Sequence, residues 1–163
     1  MWSGVDVTLF DASSGYLLRR PTPAHHLTMC LTPTRSICRC EGPARLLQQR
    51  VGDIDLVPAG SEAAWDDEGP ASFVSIDITP ALLRSTADML GVNPERVEIV
   101  PGLLLKDPQL TYVVWALKAE LENGEDHDRL YAESLGTALA ARLVRRYSKV
   151  RIRIQLGAFP RAS

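Results

Sequence analysis

The chain has 163 residues, 45% of them hydrophobic and 23% charged, with a formal net charge of −2. That suits one domain with a core of its own, gives no general attraction to nucleic acid, and contains no apolar run near the roughly 18 residues that span a bilayer. The first residues show neither a basic nor an apolar leader, and three cysteines, Cys30, Cys38 and Cys40, are an odd set for a disulfide framework, so a cytoplasmic protein with reduced thiols is expected.

The first half is predicted to be β-rich. Residues 5–10 read as a strand with Val5, Val7 and Leu9 on one face. Residues 25–31 and 36–40 read as strands joined by the turn Thr32-Pro33-Thr34-Arg35, and 45–51 resume the pattern after Gly42-Pro43. Gly52 then allows a tight turn into a strand on which Ile54 and Leu56 alternate with Asp55 and Val57. Pro58 ends its ladder and Gly60 permits the corner. A strand over 63–65, a polar turn at 66–70 that holds Asp66-Asp67, and a strand over 72–78 complete a barrel or sandwich pattern.

The register changes at Thr79-Pro80, an N-cap followed by proline at the first helical position; the helix stops at Gly91. A connector over 92–106 carries Leu103-Leu104-Leu105. Two longer helices are predicted over about 107–123 and 126–148, packed as an antiparallel hairpin. In the first, Leu110, Val114, Leu117 and Leu121 form a narrow seam suited to a partner helix; in the second, Tyr131, Leu135, Ala138, Leu139 and Leu143 form a wider stripe. The segment 149–163 is a basic tail in which Val150, Ile152 and Ile154 have strand periodicity.

If the turn at Pro33-Thr34 closes a hairpin, Cys30 faces Cys38, Thr28 faces Cys40, and His26 continues that face. Thiolates with imidazole suit zinc, but buried cysteines behave as small hydrophobes, and a wall of small residues inside the barrel is the reading adopted. His25 and His26 point to opposite faces of a strand and cannot chelate one ion together. His127 reads as part of a solvated helix start, and Asp66-Asp67 as a solvated turn. Trp65 and Phe73 fall on adjacent strands, where aromatics either wall a pocket or fill a core. The run Arg142, Arg145, Arg146, Lys149, Arg151 and Arg153 reads as a solvated helix end. No nucleophile elbow, Walker loop or dinucleotide fingerprint is present, so no catalytic residue is assigned.

The Gly-x5-Pro-x-Gly spacing of residues 52–60 resembles the second motif of cupin β-barrels. Metal-binding cupins place a histidine three residues after that last glycine, and here the position is Ala63. The order of further segments, Pro-Ala-His-His-Leu (23–27), Val-Ser-Ile-Asp-Ile-Thr-Pro (74–80), Asp-Pro-Gln-Leu (107–110) and Leu-Tyr-Ala-Glu-Ser-Leu (130–135), resembles the N-terminal sensor domain of AraC/XylS-type bacterial transcription regulators over most of residues 1–148. The resemblance implies an α+β fold, with a cupin-like jelly-roll barrel over 1–78 followed by a helical part over 79–148. It implies a barrel that binds an effector or a regulatory segment and a helical hairpin that dimerises; the residues' own pattern offers His26, Thr28, Cys30, Cys38, Cys40, Trp65 and Phe73 as pocket candidates and Leu110, Val114, Leu117 and Leu121 as the homodimer seam. No metal, cofactor or membrane contact is expected. Family members read DNA through a further domain with two helix-turn-helix units, which this sequence lacks. A stand-alone cupin enzyme and an oligomerisation module with a filled barrel are the rival readings.

Overall fold

A computed structural model of the chain describes residues 2–40, 42–124 and 128–150. Its strands pair as nested antiparallel couples: β1 (Val5–Ala12) with β8 (Ala71–Ile78), β2 (Gly15–Arg19) with β7 (Ala63–Asp67), β3 (His25–Cys30) with β6 (Ile54–Val57), and β4 (Thr34–Cys40) with β5 (Arg45–Gln49). A long ribbon folded over in this way is a jelly roll, in which two sheets face each other. Cross-pairing of β3 with β8 and β4 with β7, and the addition of β10 (Gly102–Leu105), give a five-stranded sheet ordered β1-β8-β3-β6-β10 and a four-stranded sheet ordered β2-β7-β4-β5. A two-stranded pair, β9 (Val97–Ile99) with β11 (Ser148–Val150), lies apart from both.

The turn before β6 forms as its glycine predicts. Gly52 takes φ +92°, and the Asp53 side chain accepts from Arg50 N–H at 2.8 Å while Asp53 N–H donates back to Arg50 O at 3.0 Å. After β6, Pro58 opens a turn closed by Ser61 N–H, and Gly60 takes φ +82°.

Three helices follow: α1 (Pro80–Met89), α2 (Pro108–Asn123) and α3 (Arg129–Arg146). Thr79 caps α1 through Leu82 N–H, with Pro80 in the first turn. Asp107 caps α2 by accepting from Gln109 and Leu110 N–H, and the same carboxylate takes a bidentate pair from Arg142 (2.9 and 3.0 Å) and the Tyr147 hydroxyl at 2.7 Å. Burial pushes this carboxyl up, but those hydrogen bonds outweigh it and hold it at about 2. Arg142 therefore fastens α3 to the start of α2, while Arg145 and Arg146 are exposed as expected. Arg151, Arg153, His127, Ile152 and Ile154 lie outside the described residues.

The main core sits outside the barrel. Leu27, Met29, Ile54, Leu56, Val74, Ile76 and Ile78, all fully buried, project from one face of the five-stranded sheet and pack against α1, α2 and α3. Gly136 brings α3 close to the sheet: a Cβ there would stand 3.0 Å from Val5 Cγ2. The buried face of α3 is Ala132, Gly136, Leu139, Ala140, Leu143 and Val144, so the predicted stripe is rotated; Tyr131 and Ala138 face solvent. The α2 seam also needs correcting. Leu110, Val114 and Leu117 are 0% exposed within one chain, with Leu121 packed beside them, so they cannot be a free dimer surface. A heptad-like seam marks a buried face, and here the sheet and α3 cover it. Among the described residues no helix is long and apolar enough to cross a membrane.

Leu117→Ala should cost about 2–5 kcal/mol of unfolding free energy, the usual toll of a buried leucine. Leu117→Glu should abolish the cooperative transition, whereas Met89→Ala at the 69% exposed position should stay within about 0.5 kcal/mol of the parent. Urea unfolding followed by circular dichroism checks this; a folded Leu117→Glu protein would return the seam to the surface.

Candidate functional site

Between the two sheets lies a cavity of about 460 Å³. Phe10, His26, Thr28, Asp55, Phe73 and Ser75 reach it from the five-stranded sheet, and Leu17, Leu18, Arg19, Gln49, Trp65 and Asp67 from the four-stranded sheet. The alternation of each strand explains the composition. On β8 the residues between Val74, Ile76 and Ile78 turn away from the helices, and on β6 Asp55 does so between Ile54 and Leu56.

Asp55 is the hub of the floor. It is 4% exposed; its Oδ2 accepts from Gln49 Nε2 at 2.8 Å and Trp65 Nε1 at 3.2 Å, and its Oδ1 accepts from Leu104 N–H at 2.9 Å. Burial pushes its carboxyl up against the pull of those donors. The Leu104 contact ties down β10, where the pairing with β6 shifts register between Gly102 and Leu105 and Leu104 takes φ +55°. A bulky residue in the left-handed region is strained, by about 1–3 kcal/mol. Leu103 and Leu104 pack there against the small cluster of Cys38, Leu47, Val57, Ala63 and Trp65 between the sheets. The leucine run read as connector is thus an edge strand of the five-stranded sheet, paired with β6.

Beside Asp55 the floor is unfinished. Gln49 Oε1 and Asp67 Oδ1 accept no well-formed hydrogen bond, although Gln49 and Asp67 are only 4% and 6% exposed; the buried Thr34 and Ser36 hydroxyls stand opposite them in register, and Ser36 partly offsets the effect of burial on the Asp67 carboxyl. Burial pushes the Asp67 carboxyl up as well. At the opposite side, Asp77 Oδ1 accepts from Arg19 Nη2 at 3.1 Å and bonds His26 Nδ1 at 2.8 Å. The His26 hydrogen bond, outweighing burial, holds Asp77 below the usual carboxylate range, so this oxygen accepts, Nδ1 carries the proton, and Nε2 is the remaining ring nitrogen. His25 points elsewhere: its Nδ1 accepts from Ala59 N–H at 3.0 Å, and burial lowers its pKa, which keeps it neutral.

Of the candidate pocket residues, His26, Thr28, Trp65 and Phe73 line the cavity together. The cysteines do not. The assumed hairpin does not exist, because β3 and β4 belong to different sheets: Cys30 stands opposite Phe73, Cys38 between Arg45 and Trp65, and Cys40 opposite Ala63. Cys30 Sγ donates to Thr32 O, and burial pushes its thiol up to about 11 and that of Cys38 to about 12, so both stay protonated. Among the described residues no group of three or more His, Cys, Asp or Glu side chains is placed to hold a metal. The sequence reading missed Arg19, Gln49, Asp55 and Asp67. A signal existed for Asp67, which shares the strand parity of Trp65; the pair read as a solvated turn is split, Asp66 outward and Asp67 inward.

No protein-family model matches the chain, and no curated protein matches its sequence. Among solved structures it is similar to a cupin superfamily protein from Desulfitobacterium hafniense DCB-2 (17% identity, 48% of this chain and 71% of that one, TM-score 0.41). It is also similar to a cupin domain from Bordetella pertussis Tohama I (19% identity, 46% of this chain and 81% of that one, TM-score 0.39). A third is a DMSP lyase from Ruegeria pomeroyi DSS-3 (20% identity, 46% and 38%, TM-score 0.38). Each likeness spans less than half of the chain, so the jelly-roll topology rests on the strand pairing itself.

The raised Asp67 carboxyl has a consequence for stability. A group whose folded pKa exceeds its unfolded value is better tolerated neutral, so its ionisation costs stability as pH rises through the folded pKa. Asp67→Asn should therefore raise the melting temperature at about pH 7, with the gain shrinking as pH falls towards about 4. Thermal melts of both proteins across that range check the sign; an equal gain at both ends, or a loss at neutral pH, would contradict it.

Proposed function

We propose that this chain is an effector-binding domain of the cupin type, in which a small molecule occupies the space between the two sheets. The observation that carries this reading is the cavity of about 460 Å³ with buried, unpartnered acceptors on its floor. A barrel that serves only as an oligomerisation module has no use for an interior of that size and polarity. The segment order that resembles AraC/XylS-type sensors supports a regulatory role, with DNA reading left to a separate domain. The rival with an observation of its own is an enzyme: His26, oriented by Asp77, could move a proton in the cavity.

A thermal-shift screen of small polar and aromatic metabolites should yield compounds that raise the melting temperature, since about 100 Kd of ligand adds about 2.7 kcal/mol. Ser75→Phe, which fills the cavity, should remove the shift and keep the fold. A bound compound recovered unchanged supports sensing; its conversion at a rate lost in His26→Gln supports the enzyme. A screen without any hit would leave the filled module standing.

Dimerisation belongs to the same proposal, on a different surface from the seam. The outer face of α2 presents Tyr112, 70% exposed, and Trp115, 36% exposed, with Lys118 Nζ 5.7 Å from the Trp115 ring. Aromatic residues on a solvent-facing helix suit a symmetric contact between copies. Sedimentation should find a dimer for the parent and a folded monomer for the Tyr112→Glu, Trp115→Glu double variant. An unchanged dimer would place the contact elsewhere.

A further inference from the structure

We propose that the cavity takes an organic ammonium: a protonated primary or secondary amine carried on an aromatic or aliphatic body. This rests on the small-molecule reading above and names the ligand's charge and shape. The floor is built of acceptors without a cation. Asp55 is held only by neutral donors, from Gln49, Trp65 and Leu104. Asp67 Oδ1 and Gln49 Oε1 accept no well-formed hydrogen bond and no cation, with only the neutral Ser36 hydroxyl beside Asp67, although both side chains are more than nine-tenths buried and line the cavity.

The nearby cations are engaged elsewhere or lie outside. Arg19 is paired with Asp77 and donates to Thr22, Lys106 is paired with Asp53, and Arg20 sits exposed at the rim. Two buried carboxyl groups on one floor therefore have no ion-pair partner among the described residues. Burial raises both, which is the signature of a site where a negative charge is uncomfortable alone. An ammonium brings the missing positive charge together with two or three donors for the open acceptors.

The rest of the wall fits the other end of such a molecule. Trp65, Phe73, Phe10 and Leu17 are apolar, and an aromatic face near the acceptors adds cation–π attraction for a cation within about 6 Å of its centroid. A neutral polyol could satisfy the lone pairs but would leave the charge unmatched. An anion would meet Arg20 at the rim and Arg19 and His26 already engaged by Asp77, and would face two carboxyl groups below them.

Isothermal titration with phenylpropylamine, phenylpropanol and phenylpropionate separates these cases at one shape and near-constant size. At neutral pH the amine should bind about 10-fold or more tighter than the alcohol, with the propionate weakest. In Asp67→Asn the amine should lose about 10-fold in affinity while the alcohol changes by less than about 2-fold; Asp67→Ser serves if the asparagine variant does not fold. The proposal falls if the alcohol matches the amine, if the propionate binds tightest, if none of the three binds, or if a folded Asp67 variant keeps the full preference. Binding of the alcohol or propionate alone would overturn the ammonium and leave the small-molecule cavity intact. Loss of the cavity reading itself would need the metabolite screen to fail as well.

Discussion

The structure depends on one sheet having two unlike faces. Leu27, Met29, Ile54, Leu56, Val74, Ile76 and Ile78 bind the five-stranded sheet to the helices, and each such burial contributes about 1.5–3 kcal/mol. That packing carries the hydrophobic core on the outside of the barrel. The space between the sheets is then released from the task of holding the fold together. It can keep a cavity and polar side chains that a small sandwich, whose core lies between its sheets, would have to replace with apolar ones. The helices are therefore a condition of the cavity, not an appendage to the barrel.

Strand alternation made part of this legible. Gly52, Pro58 and Gly60 mark the ends of β6, the alternating residues of β8 announce its two faces, and Thr79-Pro80 and Asp107-Pro108 mark helix starts that the structure keeps. What a period of two does not contain is the identity of the neighbouring strand. A short turn suggested that β3 and β4 pair, while in a nested ribbon they part into separate sheets, and the three-thiol constellation dissolves with that pairing. In the same way the α2 leucines announce a buried face without saying what buries it. β2 was passed over because Tyr16-Leu17-Leu18 does not alternate; all three are exposed, and Leu17 and Leu18 line the mouth of the cavity. β9 and β10 are hidden in the connector, since strands this short are defined by their partners, while β11 falls where the alternation of the tail begins.

The site was half visible for the same reason. Trp65, Phe73, His26 and Thr28 stood out by residue type, and the structure gathers them. Asp55 and Gln49 look like ordinary residues of predicted strands and Asp67 like part of a solvated turn, because the default inside a barrel is apolar and a carboxylate is assigned to solvent. Only the knowledge that the core lies on the other face makes an inward carboxylate reasonable.

The chain treats its buried carboxylates in two different ways. Asp107, in the helical layer, receives Arg142, Tyr147 and two backbone N–H groups, and Asp53, at the turn before β6, receives Lys106 and the Arg50 N–H. Both are completed by the protein's own cations. Asp55 receives neutral donors only, and Asp67 keeps an oxygen with no partner. Leaving a buried acceptor open costs about 1–3 kcal/mol, more when it is charged. A fold that gives its structural carboxylates their own cations, yet gives none to the two that border a cavity and leaves one of those with an open oxygen, has concentrated its unmet polarity at one place. Together with the left-handed Leu104 that Asp55 holds, that is where the chain departs from the local rules it obeys elsewhere, and such departures collect at sites of function.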